Sequence, residues 1–261
     1  EGLGLPRVLA FGKVQGAKGS SGRLFMVREL VAGESLETVL EEGHAHTKWL
    51  APLLEAGEQL AAVHRTGMLH GDIKPANIVV TDTGRGTLVD LGLAAPLASR
   101  GVDARGLTPR FAAPELLRGE PLTVRAEVFS FGATLGEALA RAGDSFDDDT
   151  RLGLARVVLK AKDDDPNKRF PSIDETIQAA YSAAGLSPDA EAMDKRRIVG
   201  WPILGIDAVC TRLVDLVTPA GARVVLEGPS GASRTTLARR AAFTLGVRGL
   251  TVIAIERGGS V

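Results

Sequence analysis

Residues 69–77 of this chain read Leu-His-Gly-Asp-Ile-Lys-Pro-Ala-Asn, and residues 90–92 read Asp-Leu-Gly. The polar side chains of these two stretches suit one kind of chemistry. Asp72 offers a carboxylate that can orient a hydroxyl group and accept its proton, and Lys74 adds a positive charge two residues later. Asn77 and Asp90 add oxygen ligands of the type that Mg²⁺ prefers. Together these residue types predict a site for phosphoryl transfer.

Asn77 and Asp90 are expected to lie close together in space. Two short apolar runs, residues 77–80 and 86–89, bracket the sequence Thr-Asp-Thr-Gly-Arg, which is typical of a hairpin loop. The two oxygen ligands then stand at the outer ends of one hairpin. The alternative is a loop that contains Asp, Lys and Asn by chance. The order of the flanking motifs argues against that alternative.

The two stretches resemble the catalytic loop, H-R-D-x-x-x-x-N, and the D-F-G motif of protein kinases. The resemblance implies ATP and Mg²⁺ as cofactors and a protein substrate that carries Ser or Thr hydroxyls. It makes Asp72 the catalytic base, with Asn77 and Asp90 at the metal and the phosphates. Lys74 is typical of the Ser/Thr branch of the family. Gly71 replaces the family's Arg, so a phosphorylated activation loop has no local receptor here.

Residues 106–115 read Gly-Leu-Thr-Pro-Arg-Phe-Ala-Ala-Pro-Glu and resemble the end of a kinase activation segment. The resemblance implies that the hydroxyl of Thr108 bridges Asp72 and Lys74. It also implies that Glu115 is a buried carboxylate paired with Arg169. A buried carboxylate needs such a partner, and nothing local in the sequence requires this long-range pair.

Four helices are predicted around these motifs. Residues 47–65 have the apolar spacing of an amphipathic helix, whereas 123–141 are apolar around most of the circumference and predict a central buried helix. Residues 151–162 and 172–183 complete the set. In the central helix, Glu127 stands where the family has an Asp that supports the catalytic loop. Its longer stem is expected to displace that support.

The connection between the last three of these helices is short. Only residues 143–150 separate the central helix from the next one, so the docking helix of the family is expected to be shortened or lost. Asp147, Asp148 and Asp149 in this connection predict a solvated turn rather than a metal site. Ser172 and Glu175 predict a capping box at the start of the last helix.

The N-terminal residues predict a hairpin of two strands, 5–11 and 24–31. By the resemblance, residues 29–31 are the hinge between two kinase lobes, and the backbones of Glu29 and Val31 contact the adenine of ATP. No V-A-I-K-like segment precedes the hinge. Residues 1–31 are therefore interpreted as the last two strands of a small lobe, and the chain as a fragment of a longer polypeptide.

A second module is predicted from residue 199 onward. A helix to Leu216, a strand at 223–226, a Gly-rich turn, a helix at 234–245 and a strand at 251–255 follow in the order that a P-loop requires. The turn resembles the Walker A segment of AAA-like and STAND-like NTPases. Its matching residues are Gly228, Gly231, Arg234 and Thr235. Ser233 and Arg234 replace the Gly and Lys of that motif, so the loop is degenerate and weak or absent nucleotide binding is expected.

Composition limits the remaining possibilities. The net charge is −1, so neither nucleic acid nor an anionic membrane is an expected partner. The basic residues 195–197 predict a solvated turn in a linker. The single cysteine, Cys210, excludes an internal disulfide framework and favours a cytoplasmic location. No apolar run has the length of a membrane span.

The predicted fold class is therefore α+β and protein-kinase-like, with a mostly helical large lobe and a truncated small lobe, followed by an α/β P-loop NTPase fragment. Residues 1–185 form the kinase domain, 186–198 the linker and 199–261 the NTPase part. Two functions stay open. One is a Ser/Thr protein kinase coupled to an NTPase module within a signalling protein, which the intact Asp72, Lys74, Asn77 and Asp90 favour. The other is a pseudokinase-like regulatory module that controls the NTPase domain, which the missing small-lobe Lys favours.

Overall fold

A computed structural model describes residues 5–13, 24–65, 68–90, 95–96, 108–188, 206–218 and 223–228, together with 234, 237–238 and 241. The described residues fall into two units. The first contains residues 5–6 and 30–188, and the second contains the described parts of 7–29 and 203–261.

The elements follow one another along the chain with short connections. The strands are β1 (Val8–Lys13), β2 (Leu24–Arg28), β3 (Glu34–Ser35), β4 (Met68–Leu69), β5 (Ile78–Val80), β6 (Gly86–Leu88) and β7 (Ala95–Pro96). The helices are α1 (Leu36–Glu41), α2 (His46–Arg65), α3 (Pro114–Leu117), α4 (Val124–Arg141), α5 (Asp148–Ala161), α6 (Ile173–Ala183) and α7 (Ile206–Val217). Short 3₁₀ turns lie at Pro75–Asn77 and Pro166–Lys168. The first unit is thus mostly helical, as the sequence predicts for a large lobe.

Polar side chains set where four of the helices begin. The side chains of Ser35, Thr123, Asp147 and Ser172 each accept a hydrogen bond from a backbone amide in the first turn of the following helix. Such caps satisfy amides that have no partner within the helix. The prediction of a solvated turn at Asp147–Asp149 is wrong. Asp147 caps α5, and Asp148 and Asp149 lie in its first turn, where the helix dipole favours negative charge.

Helix α4 is buried along most of its length. Val128, Phe131 and Leu135 pack in a core cluster together with residues of α1, α2, α5 and α6. Phe129, on another face, packs in a second cluster with Phe111 and Leu69. This confirms the central buried helix that the sequence predicts. It also places α4 beneath both the catalytic loop and the segment that contains Phe111.

Strands β3, β5 and β6 form an antiparallel sheet in that order, with Ile78 opposite Leu88. The outer strand, β6, is held by α2 side chains rather than by another strand. Glu55 Oε2 accepts a hydrogen bond from Gly86 N at 2.8 Å, and Gln59 Oε1 accepts one from Leu88 N at 2.7 Å. Gln59 Nε2 also donates to Gly86 O at 2.8 Å. A side chain at Gly86 would collide with the backbone of Pro52, so only glycine permits this close approach.

The second unit contains an antiparallel pair and a helix. Strands β1 and β2 pair from Lys13 opposite Leu24 to Val8 opposite Arg28. Helix α7 buries Cys210, Leu213 and Val214 against Leu237 and Ala241. Residues 223–228 form no strand, contrary to the prediction for 223–226. A strand exists only when it is paired, and its predicted partner at 251–255 lies outside the described residues.

Within the part of the chain that the structure describes, no helix is both long and apolar enough to cross a membrane.

Candidate active site

Asp72, Lys74 and Thr108 form a closed triangle of polar contacts. Lys74 Nζ lies 2.6 Å from Asp72 Oδ2 and donates to Thr108 Oγ1 at 2.9 Å. Thr108 Oγ1 in turn donates to Asp72 Oδ1 at 3.1 Å. The segment that begins at Thr108 is thus joined to the loop between β4 and β5. The Asp72 side chain is only 12% exposed, so these contacts are partly shielded from water.

Asn77 fixes Asp72 from the other side. Its Nδ2 atom donates to the backbone oxygen of Asp72 at 2.8 Å and to Oδ2 at 3.0 Å. Both amide hydrogens of Asn77 are therefore used on one residue, which leaves its Oδ1 atom as the oxygen that can face a ligand. The 3₁₀ turn Pro75–Asn77 places Asn77 five residues after Asp72 in the right position for both bonds.

His70 supports the loop from below and is fully buried. Its Nε2 atom donates to Val89 O at 3.0 Å, and its Nδ1 atom accepts from Asp72 N at 3.3 Å. One nitrogen donates and the other accepts, so the ring is neutral and carries its proton on Nε2. Burial lowers the pKa of His70 below its ordinary value, although Glu127 and the carbonyl of Val89 act in the opposite direction.

Glu127 holds the backbone of the catalytic loop directly. Its Oε1 atom accepts from Gly71 N at 2.5 Å, and its Oε2 atom lies 2.6 Å from His64 Nε2. The expected displacement of this support is therefore wrong, because the longer stem of Glu still reaches the loop from α4. Burial acts to raise the pKa of Glu127, but the hydrogen bonds from His64 and Gly71 hold it below the ordinary value. Gly71 has φ +89°, a conformation that glycine adopts without strain.

Glu115 and Arg169 form the long-range pair that the sequence predicts. Arg169 donates from Nη1 to Glu115 Oε1 at 2.6 Å and from Nη2 to Oε2 at 2.9 Å. Burial alone would raise the pKa of Glu115, but the bonds from Arg169 lower it below the ordinary value. The same guanidinium lies 4.9 Å from the ring centre of Phe129 and donates to the carbonyls of Asp163 and Arg125. The pair is thus bidentate and enclosed.

Asn77 and Asp90 come from the two ends of the β5–β6 hairpin. Val89 N donates to Asn77 O at 2.9 Å, which joins the two ends beside the catalytic loop. Asp90 is exposed and has φ +64°, a left-handed conformation that is unusual for a residue other than glycine. Mg²⁺ is commonly held by one or two protein oxygen ligands together with substrate phosphates. An amide oxygen and a carboxylate therefore fit Mg²⁺–ATP. Among the described residues, no group of three or more His, Cys, Asp or Glu side chains could hold a metal alone.

The other predicted site residues are less well defined. Glu29 lies beyond β2, where its amide donates to Arg7 O at 2.8 Å and its side chain pairs with Arg7. Val31 is half-buried in the first unit. Gly228 is exposed, and Arg234 is helical and exposed, but Gly231 and Thr235 lie outside the described residues. The predicted phosphate loop therefore stays a prediction.

Two groups of residues at this site were not predicted from the sequence. His64 and His70 bracket the loop support, and Arg110 forms an ion pair with Glu137 on α4. His70 belongs to the quoted motif, and its position next to Gly71 was an available signal. The partners of His64 and Arg110 are distant in the sequence, and no local pattern indicates them.

Comparisons with known proteins agree with this geometry. A family model described as the protein kinase domain matches residues 11–179. Serine/threonine-protein kinase PknK of Mycobacterium tuberculosis is 40% identical over 126 residues, which cover 46% of this chain and 11% of the relative. PknL of that organism is 35% identical over 153 residues, 55% of this chain and 37% of the relative. PknD is 28% identical over 200 residues, 66% of this chain and 30% of the relative. The chain thus matches between about a tenth and somewhat over a third of each relative's length.

Proposed function

The chain belongs to the protein kinase domain family, and from that premise we propose that it transfers the γ-phosphate of Mg²⁺-bound ATP to Ser or Thr hydroxyls of a protein. The names of the relatives, all serine/threonine-protein kinases, support the choice of acceptor. The reaction class follows from the residues around Asp72.

The single observation that carries the proposal is the Thr108 hydroxyl between Asp72 and Lys74. It accepts from Lys74 and donates to Asp72, so it fixes both side chains in one geometry. Positioning and charge stabilisation supply most of the catalysis in phosphoryl transfer, so a base and a cation held at a fixed separation are what the reaction needs. In this arrangement Lys74 stabilises negative charge that develops on the transferred group.

Asp72 retains capacity for an acceptor hydroxyl. A carboxylate offers about four lone-pair positions. Thr108 uses one on Oδ1, while Asn77 and Lys74 use two on Oδ2. The remaining position on Oδ1 is where Asp72 accepts a hydrogen bond from the Ser or Thr hydroxyl, orients its oxygen and takes up its proton.

Asn77 Oδ1 and Asp90 would hold Mg²⁺. When bound, the ion with its nucleotide supplies the phosphoryl group and offsets its charge. Asn77 then has two roles, because its Nδ2 atom keeps Asp72 oriented. The adenine contacts predicted for Glu29 and Val31 belong to the same proposal. Since the Glu29 amide donates to Arg7, the contact there narrows to the Glu29 carbonyl.

The proposal is tested with the full-length protein that carries this sequence. Purified protein is incubated with Mg²⁺, ATP and matched peptides in which the acceptor is Ser, Thr or Tyr. We expect transfer to Ser and Thr only. Asp72→Asn should abolish transfer and leave ATP binding nearly intact, because Asp72 acts on the hydroxyl and not on the nucleotide. Tyr as the preferred acceptor would contradict the proposal.

A regulatory module without transfer activity is the second candidate. The observation that favours it is a separate unit after the kinase lobe, in which α7 packs against Leu237 and Ala241. We propose that this unit is the predicted P-loop NTPase module and the intramolecular partner of the kinase lobe, within the cytoplasm. Mg²⁺-dependent ATP binding by the kinase lobe without any transfer would favour this candidate over the enzyme.

A further inference from the structure

Thr108 opens a single irregular turn. Its carbonyl oxygen accepts hydrogen bonds from Phe111 N at 3.0 Å and from Ala112 N at 3.2 Å. The turn ends at Ala113, which caps α3 without a side-chain hydrogen bond. Only Phe111, Ala112 and Ala113 anchor it through burial. The position of the Thr108 hydroxyl therefore depends on how this turn is fixed to the rest of the lobe.

Arg110 lies in the middle of the turn and joins it to α4. Its Nη2 atom donates to Glu137 Oε2, with the guanidinium at the surface and the carboxylate largely enclosed. The side chains are 63% and 12% exposed, respectively. A surface arginine that reaches toward an enclosed carboxylate is not a mobile, solvated charge. It fixes the turn to the most deeply buried helix of the unit.

Glu137 does not need Arg110 for charge compensation. Arg141, one turn later on α4, donates from Nε to Glu137 Oε1 at 2.7 Å. Because Arg141 and Glu137 belong to the same helix, their pair neutralises the carboxylate without joining two parts of the chain. Arg110 is the member of this group that comes from another segment, so its contact has a positional effect.

The ion pair stands beside the catalytic loop. Arg110, Phe111 and Glu137 line one cleft together with Pro75, the residue after Lys74. A second cleft contains Phe111, Thr108 and Asp72. Phe111 is common to both, so a shift of the turn that opens one cleft also moves a wall of the other.

We propose that Arg110 and Glu137 are positioning residues that hold the 108–113 turn so that the Thr108 hydroxyl bridges Asp72 and Lys74. This rests on the proposed kinase function. Loss of the tether lets the turn shift, and the Thr108 hydroxyl then spends less time between the base and the cation. Misplacement of a catalytic group by about 1 Å can lower the rate on the order of 100-fold.

The matched variants are Arg110→Ala and Arg141→Ala, assayed in the full-length protein. Each removes one arginine from Glu137, but only the first releases the turn. We expect Arg110→Ala to lower kcat by about tenfold or more with an unchanged KM for ATP, because the nucleotide ligands are untouched. Arg141→Ala should stay within about twofold of the parent. Arg110→Lys, which can still reach Glu137 with one donor, should recover part of the loss.

Hydrogen exchange provides a readout that needs no activity. The amides of Phe111 and Ala112 should exchange faster in Arg110→Ala than in the parent and in Arg141→Ala. If the parent transfers no phosphate, the proposed function fails while this comparison still tests the tether. Equal exchange and equal kcat in Arg110→Ala and the parent would overturn the inference. So would equal losses in Arg110→Ala and Arg141→Ala.

Discussion

Arg169 binds Glu115 through two parallel hydrogen bonds, at 2.6 Å and 2.9 Å, with both side chains almost entirely buried. The same guanidinium donates to the carbonyls of Arg125 and Asp163. Arg169 thus joins α3, the start of α4 and the turn after α5. The pair fixes the three segments that follow the catalytic loop in the sequence.

Removal of either partner should destabilise the first unit. Glu115→Ala or Arg169→Ala leaves the other charge buried without compensation, which costs about 3–5 kcal/mol. Urea unfolding followed by circular dichroism measures the loss. The control is Arg118→Ala, whose pair with Glu120 is exposed on both sides and should cost at most about 1 kcal/mol. Equal losses in buried and exposed variants would refute the argument.

Stability should fall in two steps as the pH is lowered. The folded pKa of His70 lies below its ordinary 6.5, so the unfolded chain takes up that proton first and stability declines below about pH 6.5. The folded pKa values of Glu115 and Glu127 lie below 4.5, so their contribution is complete above that pH and is lost as the pH falls further. His70→Asn should flatten the first step, and Glu127→Gln should reduce the second. The free energy of unfolding between pH 7.5 and 3 is the measurement.

Gly71→Ala should impair both stability and catalysis. A Cβ at φ +89° costs about 1–2 kcal/mol, and relief of that strain would move the loop that carries Asp72. Gly84→Ala is the control, because Gly84 has φ +73° and open space around it in the hairpin loop. Both variants should lose stability, and only Gly71→Ala should lose kcat. A loss of kcat in both would point to general loosening of the lobe.

Thr108 offers a direct test of the bridge. Thr108→Ser keeps a hydroxyl between Asp72 and Lys74, whereas Thr108→Val replaces it with a methyl group of similar size. We expect Thr108→Ser to retain most of the parent's kcat and Thr108→Val to lose about 10- to 100-fold. Steady-state kinetics with a Ser peptide checks this. A fully active Thr108→Val would show that the hydroxyl is structural only.

The catalytic residues could be predicted from the sequence because each has a chemical role tied to a local spacing. Asp72, Lys74 and Asn77 lie within one loop, and Thr108 and Arg169 lie in motifs of their own. The Arg110–Glu137 pair could not be predicted in this way. It depends on where two distant segments meet in space, and neither residue carries a local signal. The reach of Glu127 was misjudged for a related reason, since side-chain length alone does not give the separation of two backbones.

Helix starts were predicted less well than helix faces. The apolar pattern of α5 becomes clear only after Asp149, so the predicted start at residue 151 came too late. Burial gives a helix its periodic pattern, but the first turn of α5 is solvated and is set by the Asp147 cap instead. Residues 223–226 show the converse, because their apolar character predicts a strand only if a neighbouring strand pairs with them.

The clamp of α2 on β6 also determines what the small sheet can do with other chains. An edge strand with unpaired amides and carbonyls is a template onto which a foreign strand can add. Here Glu55 and Gln59 bind the outward-facing groups of Gly86 and Leu88, so the sheet ends at three strands. Partial unfolding that detaches α2 would expose this edge beside the catalytic loop. The helix that supports the active site is therefore also what keeps the hairpin from seeding aggregation.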